Sequence, residues 1–99
     1  MTKTNKLFRQ GDVAIVRIDA LPDKAEAVDQ TGAEVILAYG EKTGHHHYLM
    51  ADKVQEFKLG QDRFISVSET AVLRHEEHDP ITFEKGVYET LIFRQFRPL

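Results

Sequence analysis

Cysteine is absent from this chain of 99 residues. Its absence excludes disulfide bonds, thiolate zinc sites and cysteine nucleophiles, and it leaves the redox compartment undetermined. A basic stripe is also missing, since the net charge is −3, with −1 in residues 1–50 and −2 in residues 51–99. A nucleic-acid backbone is therefore not expected as the main partner, because its recognition relies on clustered lysine and arginine.

Long apolar runs are lacking as well. The longest run is far too short to span a bilayer, and residues 1–6 are polar, without the apolar segment of a signal peptide. Hydrophobic residues make up 41% of the chain and charged residues 29%, which is typical of a soluble globular protein. We therefore expect a single cytoplasmic domain over residues 1–99, with residues 1–6 as a flexible tail.

Sustained helical periodicity is the third feature that the sequence lacks. The chain instead contains short β-branched and apolar runs, clearest at residues 13–18, 34–39, 63–68 and 87–96. Gly, Pro and Asp separate these runs, among them Asp79-Pro80, which is expected to turn the chain. The pattern predicts an all-β fold, a single small antiparallel β-sandwich or barrel of about seven or eight short strands. The expected core residues are Ile15, Val16, Val35, Leu37, Ile65, Val67, Leu73, Val87, Leu91 and Phe93.

All five histidines of the chain fall into two short segments, residues 45–47 and 75–78. If residues 45–48 form a strand, alternation places His45 and His47 on one face and His46 on the other. A His-x-His pair on a strand can supply two ligands to one metal ion, because neighbouring side chains on one face can converge. His75 and His78 would complete the site from a second strand end.

The sequence therefore favours a metal site with His45, His47, His75 and His78 as ligands. Imidazole ligands suit a divalent transition metal (Zn, Ni, Fe, Mn or Cu) without choosing among them. Glu77 could add a carboxylate, whereas Glu76 and Asp79 suit the role of holding an imidazole N–H. His46 is expected to be a solvent-exposed bystander, and Tyr48 is the aromatic residue most expected to face the site.

Two alternatives use the same histidines without a metal. In the first, the protein is a structural or interaction module, and the histidines lie at a subunit interface. In the second, it is a small nuclease in which two histidines act as acid and base, with Lys42 or Lys53 stabilising the developing oxyanion. The acidic net charge argues against an RNA substrate. Whether the protein is an enzyme stays open at this stage.

Self-association is a separate expectation. A domain of this size buries a limited fraction of its surface. The long terminal run, residues 87–96, carries Val87, Leu91 and Phe93 on one face and other apolar residues on the opposite face. An uncovered face or an unpaired edge would offer a surface to a second copy, so we expect a closed homo-oligomer, most simply a dimer.

Two resemblances follow from these motifs. Gly40 with His45-x-His47 resembles the first half of the cupin motif, although the first acid after His47 is Asp52, farther away than in that motif. The segments Gly40-Glu41-x-Thr43-Gly44-His45-x-His47 and His75-Glu76-Glu77-His78-x-Pro80-Ile81, with Gln10-Gly11-Asp12-Val13, are similar to a family of small uncharacterised bacterial and phage proteins. This second resemblance implies no activity, but it implies that the two histidine segments belong together.

Overall fold

The structure, a computed structural model, describes residues 7–39, 46–76 and 78–92. In this part of the chain every regular element is a β-strand. The ten strands are β1 (Leu7–Gln10), β2 (Val13–Ile18), β3 (Glu26–Ala27), β4 (Glu34–Tyr39), β5 (His46–Met50), β6 (Val54–Leu59), β7 (Asp62–Val67), β8 (Ala71–His75), β9 (His78–Phe83) and β10 (Gly86–Ile92). Among the described residues there is no helix long and apolar enough to cross a membrane.

The strands form two antiparallel sheets. A large sheet has the order β1-β2-β10-β7-β6-β3, and a small sheet has the order β4-β5-β8-β9. The sheets share one core, so the arrangement is that of a sandwich. The all-β prediction is confirmed. The described residues contain ten strands, more than the seven or eight expected, and β1 (Leu7–Gln10), which has only two apolar residues, is the one that the sequence pattern does not indicate.

Side chains from both sheets alternate into the core. Ile15 and Ile65 come from the large sheet, and Leu49 and Leu73 from the small one; all four are fully buried. Tyr88 and Phe83 add an edge-to-face pair with ring centroids 5.2 Å apart, the arrangement that the ring quadrupoles favour. Burial of the Tyr88 side chain raises the pKa of its hydroxyl group, which donates a hydrogen bond of 2.7 Å to the carbonyl oxygen of Glu84.

The core prediction is largely confirmed. Six of the expected residues are buried: Ile15, Val35, Leu37, Ile65, Val67 and Leu73. Val16, Val87 and Leu91 are only half-buried, because alternation places them on the other face of the large sheet from Ile15 and Tyr88. Phe93 lies outside the described residues.

The last strand has no unpaired edge at which a second copy could pair. β10 is paired on both sides, with β2 through Thr90 opposite Ile15 and with β7 through Tyr88 opposite Ile65. It is therefore an interior strand and offers no free edge. The edges of the two sheets, in the described part of the chain, are β1, β3, β4 and β9.

An arginine ties the two sheets together at one of their borders. Arg63 of β7 donates hydrogen bonds to the backbone carbonyl oxygens of Ile36 (3.1 Å) and Leu37 (2.8 Å) in β4. Its Nε donates to Glu56 Oε2 at 2.7 Å, and a second guanidinium nitrogen contacts the same oxygen. The pairing of β4 with β5 slips by one residue at Leu37, which is a β-bulge. We call this border, made of Arg63, Glu56, Ile36 and Leu37, the arginine seam.

Candidate metal centre

Three histidines of the small sheet meet on three adjacent strands. His47 lies in β5, His75 ends β8 and His78 begins β9. One ring nitrogen from each of them lies within 4.8 Å of the other two. The ring centroid of His75 lies 4.3 Å from that of His47 and 4.6 Å from that of His78. The structure thus brings together three of the four histidines that the sequence predicts as ligands.

Strand register explains why the three rings meet. His75 and His78 are directly opposite each other in the β8–β9 pair. Tyr48 is opposite Arg74, and one further step along this pairing brings His47 opposite His75. The three residues form a row across adjacent strands, whose first and third members would be about 10 Å apart in a flat sheet. The ring centroids of His47 and His78 are only 5.7 Å apart, so the outer two rings lean toward each other.

The hairpin that carries His75 and His78 corrects one expectation from the sequence. Asp79-Pro80 does not turn the chain but lies inside β9, and the chain reverses between His75, which ends β8, and His78, which begins β9. The pairing is irregular after His78, since one β8 residue, Arg74, faces both Asp79 and Pro80. Proline has no backbone N–H to give to a ladder, and a bulge is a position where it is tolerated. The Asp-Pro signal therefore marks a bulge beside the site.

His47 is the buried member of the cluster, with 3% of its surface exposed. Burial lowers its pKa from 6.5 to about 4, and the neighbouring His75 and His78 add to the effect, whereas the carboxylates of Asp12 and Glu76 oppose it. His47 is therefore a neutral imidazole at neutral pH, the form that binds a metal ion. His75 is half-buried and His78 is exposed, so one side of the cluster faces solvent.

A glutamine contacts all three strands that carry the imidazoles. Gln10, at the end of β1, is 3% exposed. Its Oε1 lies 2.8 Å from Nδ1 of His47. Its Nε2 donates to the backbone carbonyl oxygens of Leu73 in β8 (3.1 Å) and Asp79 in β9 (2.8 Å). These carbonyls border the β8–β9 bulge, so one side chain from the large sheet satisfies polar groups that the irregular ladder leaves there.

The next residue, Gly11, allows this close approach. Its φ is +56°, a left-handed conformation that glycine adopts without steric cost. A Cβ atom at this position would lie 2.7 Å from Nε2 of His78 and 3.3 Å from Cε1 of His47. The turn between β1 and β2 therefore lies directly against two of the rings. We call the group Gln10, Gly11, His47, His75 and His78 the histidine seam.

His46 lies on the other face of β5, as alternation predicts, but it is not a solvent-exposed bystander. Its side chain is 20% exposed, and its Nε2 lies 2.9 Å from Oε1 of Glu34. Glu76 accepts a hydrogen bond of 3.0 Å from the backbone N–H of His46. The prediction that Tyr48 faces the site is wrong, because its ring contacts that of His46, with centroids 4.6 Å apart, on the face away from His47.

The remaining predicted residues divide in two groups. His45, Glu77 and Lys42 lie outside the described residues. Asp79 is exposed, and its backbone carbonyl rather than its carboxylate contributes to the seam, through Gln10. Lys53 is paired with Glu69 on the surface at 3.0 Å, and this partner raises its pKa. Sequence reasoning missed Gln10 and Gly11 as parts of the site, because a short turn between two strands does not show in the sequence what it packs against.

The fold and the site together define a small all-β sandwich protein with a three-histidine cluster at a border between its sheets. The chain belongs to the family described as Domain of unknown function (DUF8820), whose model matches residues 9–94. This match confirms the expected membership of a small family without an assigned function, and it spans both histidine segments. No curated protein and no solved structure matches the chain.

Proposed function

We propose that the protein binds one divalent transition metal ion through His47, His75 and His78. The observation that carries this proposal is the convergence of one ring nitrogen from each of three adjacent strands to within 4.8 Å. Imidazole nitrogens bind Zn²⁺ at about 2.0–2.1 Å, so two of them on one tetrahedral ion are about 3.4 Å apart. Ring movements on the order of 1 Å would bring the widest pair of the cluster to that distance.

The charges around the cluster support a cation over a phosphate group. The carboxylates of Asp12 and Glu76 are close enough to act on the charge of His47. They attract a metal ion and repel a phosphodiester, which disfavours the metal-free nuclease. Three neutral imidazoles also leave the full charge of the ion in place, and the exposed side at His78 leaves a coordination position for water or another small ligand.

The test is a calorimetric titration of protein that carries no affinity tag and has been treated with a chelator. We expect one Zn²⁺ or Ni²⁺ per three-histidine cluster. His47→Ala, His75→Ala and His78→Ala should each weaken binding by more than the roughly 10–100-fold that loss of an outer partner costs. His46→Ala is the matched control, because His46 is the neighbouring imidazole on the opposite face. Equal losses in all four variants, or no binding by the unmodified protein, would contradict the proposal.

His45 and the identity of the metal need their own measurements. The sequence predicts His45 as a fourth ligand, and His45→Ala tests it against the same His46→Ala control. A loss as large as that of His75→Ala would add His45 to the site. Titrations with Mn²⁺, Ni²⁺ and Zn²⁺ should follow the general order of increasing affinity from Mn²⁺ to the later metals, and elemental analysis of the purified protein identifies the metal that it acquires in a cell.

A further inference from the structure

We propose that Gln10 is the positioning residue of this site: it holds the His47 ring as the Nδ1–H tautomer, so that Nε2 is the atom that binds the metal. The inference rests on the proposed function, and it adds to it a named ligand atom and a residue that determines it. Gln10 does not touch the ion itself. It acts through the imidazole that it orients.

The orientation of the Gln10 amide is determined by its surroundings. Nε2 of the amide lies 3.1 Å from the carbonyl oxygen of Leu73 and 2.8 Å from that of Asp79. A flipped amide would place its oxygen against these two acceptors, and three oxygens in contact would repel one another. Because a carbonyl oxygen only accepts hydrogen bonds, the NH₂ group must face both carbonyls.

This orientation in turn determines the tautomer of His47. With the amide nitrogen committed to two carbonyls, the group that faces His47 at 2.8 Å is the amide oxygen, Oε1. An oxygen acceptor requires a donor opposite it, so Nδ1 of His47 carries the proton. The neutral ring has one proton on its two nitrogens, and Nε2 therefore carries the lone pair. In metal-binding histidines, the ring N–H that faces away from the metal commonly donates to a carboxylate or a backbone carbonyl oxygen. In this protein the acceptor is the oxygen of a buried side-chain amide.

The same amide also sets the distance between the ligand-bearing strands. It contacts β5 through the ring of His47, β8 through Leu73, two residues before His75, and β9 through Asp79, next to His78. A displacement of Gln10 would therefore change the position of all three imidazoles together.

The tautomer is measured in metal-free protein labelled with ¹⁵N, by long-range proton–nitrogen correlation of the histidine rings; the His47→Ala variant assigns the signals. A protonated ring nitrogen resonates well upfield of an unprotonated one, so the two tautomers are distinct. We expect the Nδ1–H form for His47. On addition of Zn²⁺, the shift of Nε2 should change most. A wild-type ring with the proton on Nε2 would overturn the inference, whether or not the protein binds metal.

The second measurement compares Gln10→Met with Gln30→Met. Gln30 is a matched control because its amide also donates to a backbone carbonyl (Val54, 3.0 Å) and accepts from a backbone N–H (Glu56, 2.6 Å), away from the histidines. We expect Gln10→Met to lower zinc affinity about 10–100-fold and to produce a mixture of His47 tautomers. Gln30→Met should change neither. Unchanged affinity and tautomer in Gln10→Met would overturn the inference.

The design separates the two proposals. Zinc binding together with an Nε2–H ring contradicts the positioning role of Gln10 and leaves the metal site intact. An Nδ1–H ring in a protein that binds no metal contradicts the proposed function, and with it the ligand role of Nε2. If Gln10→Met does not fold, the tautomer and the zinc-induced shift in the unmodified protein decide the question by themselves.

Discussion

The two seams of this sandwich solve the same structural problem with different chemistry. At each border a side chain from the large sheet donates hydrogen bonds to two backbone carbonyls beside a bulge in the small sheet. At the arginine seam the donor is a guanidinium, and Glu56 neutralises its charge. At the histidine seam the donor is the neutral amide of Gln10. The oxygen of the same amide forms a hydrogen bond with Nδ1 of His47.

The difference lies in how charge is balanced. The arginine seam contains its own cation and anion, and the nearly buried Glu56 has its partner inside the protein. The histidine seam gathers three imidazoles with two carboxylates in the vicinity, and Arg9 at its margin donates a hydrogen bond of 3.1 Å to the carbonyl oxygen of Gly11. The first seam is electrostatically complete without a ligand. The second offers three ring nitrogens to the metal ion of the proposed function, which is why we place function there and stability at the first.

The largest expected effect comes from Arg63→Met, which leaves Glu56 buried without its cation and removes the donors to Ile36 and Leu37. Loss of one member of a buried pair costs on the order of 3–5 kcal/mol, and since Arg63 is partly exposed we expect the lower end. Urea unfolding of chelator-treated protein measures it. Glu56→Gln in the same background should recover part of the loss. Zinc affinity measured on the folded fraction should stay near normal; a tenfold decrease would mean that the seams are coupled.

The second prediction concerns the pH dependence of metal-free protein. The pKa of His47 is about 4 in the folded state and 6.5 as a free side chain, so the unfolded chain binds more protons between these values. The contribution is fully present above pH 6.5 and is lost as the pH falls toward 4. The full shift corresponds to about 3 kcal/mol.

Urea midpoints measured at a series of pH values check this slope. His47→Gln should flatten it between pH 6.5 and 4, because glutamine does not titrate there. His46→Gln is the control at the neighbouring position. A slope that is unchanged in His47→Gln would show that other groups carry the pH dependence of this protein.

The third prediction uses two glycines with nearly the same backbone. Gly11 and Gly60 have φ values of +56° and +62°, so alanine at either position costs roughly 1–2 kcal/mol of strain. Only at Gly11 would the new Cβ meet the ring of His78, since nothing lies within 4 Å at Gly60. We expect similar losses of stability from the backbone, but weaker zinc binding in Gly11→Ala alone. Equal zinc affinities would show that His78 can move away without harm to the site.

The smallest expected effect is on the oligomeric state, which stays a prediction from the sequence. β10 is an interior strand, and the outer face of the large sheet keeps Val16, Val87 and Leu91 only half-buried. This face is the remaining surface for a second copy. Light scattering at micromolar concentration should give a mass above 11.4 kDa. A mass at that value, unaffected by concentration or zinc, would contradict self-association and leave both seams as features of the single chain.

Local patterns in the sequence predict what depends on local geometry. Alternation placed His47 and His46 on opposite faces correctly, because the two-residue period holds within any strand. The position of the hairpin could not be obtained in this way, since Asp79-Pro80 is the stronger turn signal and its part in a bulge depends on pairing with β8. The roles of Gln10 and Arg63 depend on contacts 37–69 and 26–27 residues away in the chain. Such contacts leave no local period.

The spacing of the ligands has a consequence for the order in which a metal would be captured during folding. Only two residues separate His75 from His78 in the sequence, so the two rings meet as soon as the β8–β9 hairpin forms, within about 1–10 μs. His47 lies 28 residues before His75 in the sequence, and closing this longer segment is entropically more costly. We expect two nitrogens to engage an ion first. Binding of the third nitrogen, from His47, would then show that β5 has docked. The spectrum of the bound ion would therefore follow the assembly of the small sheet.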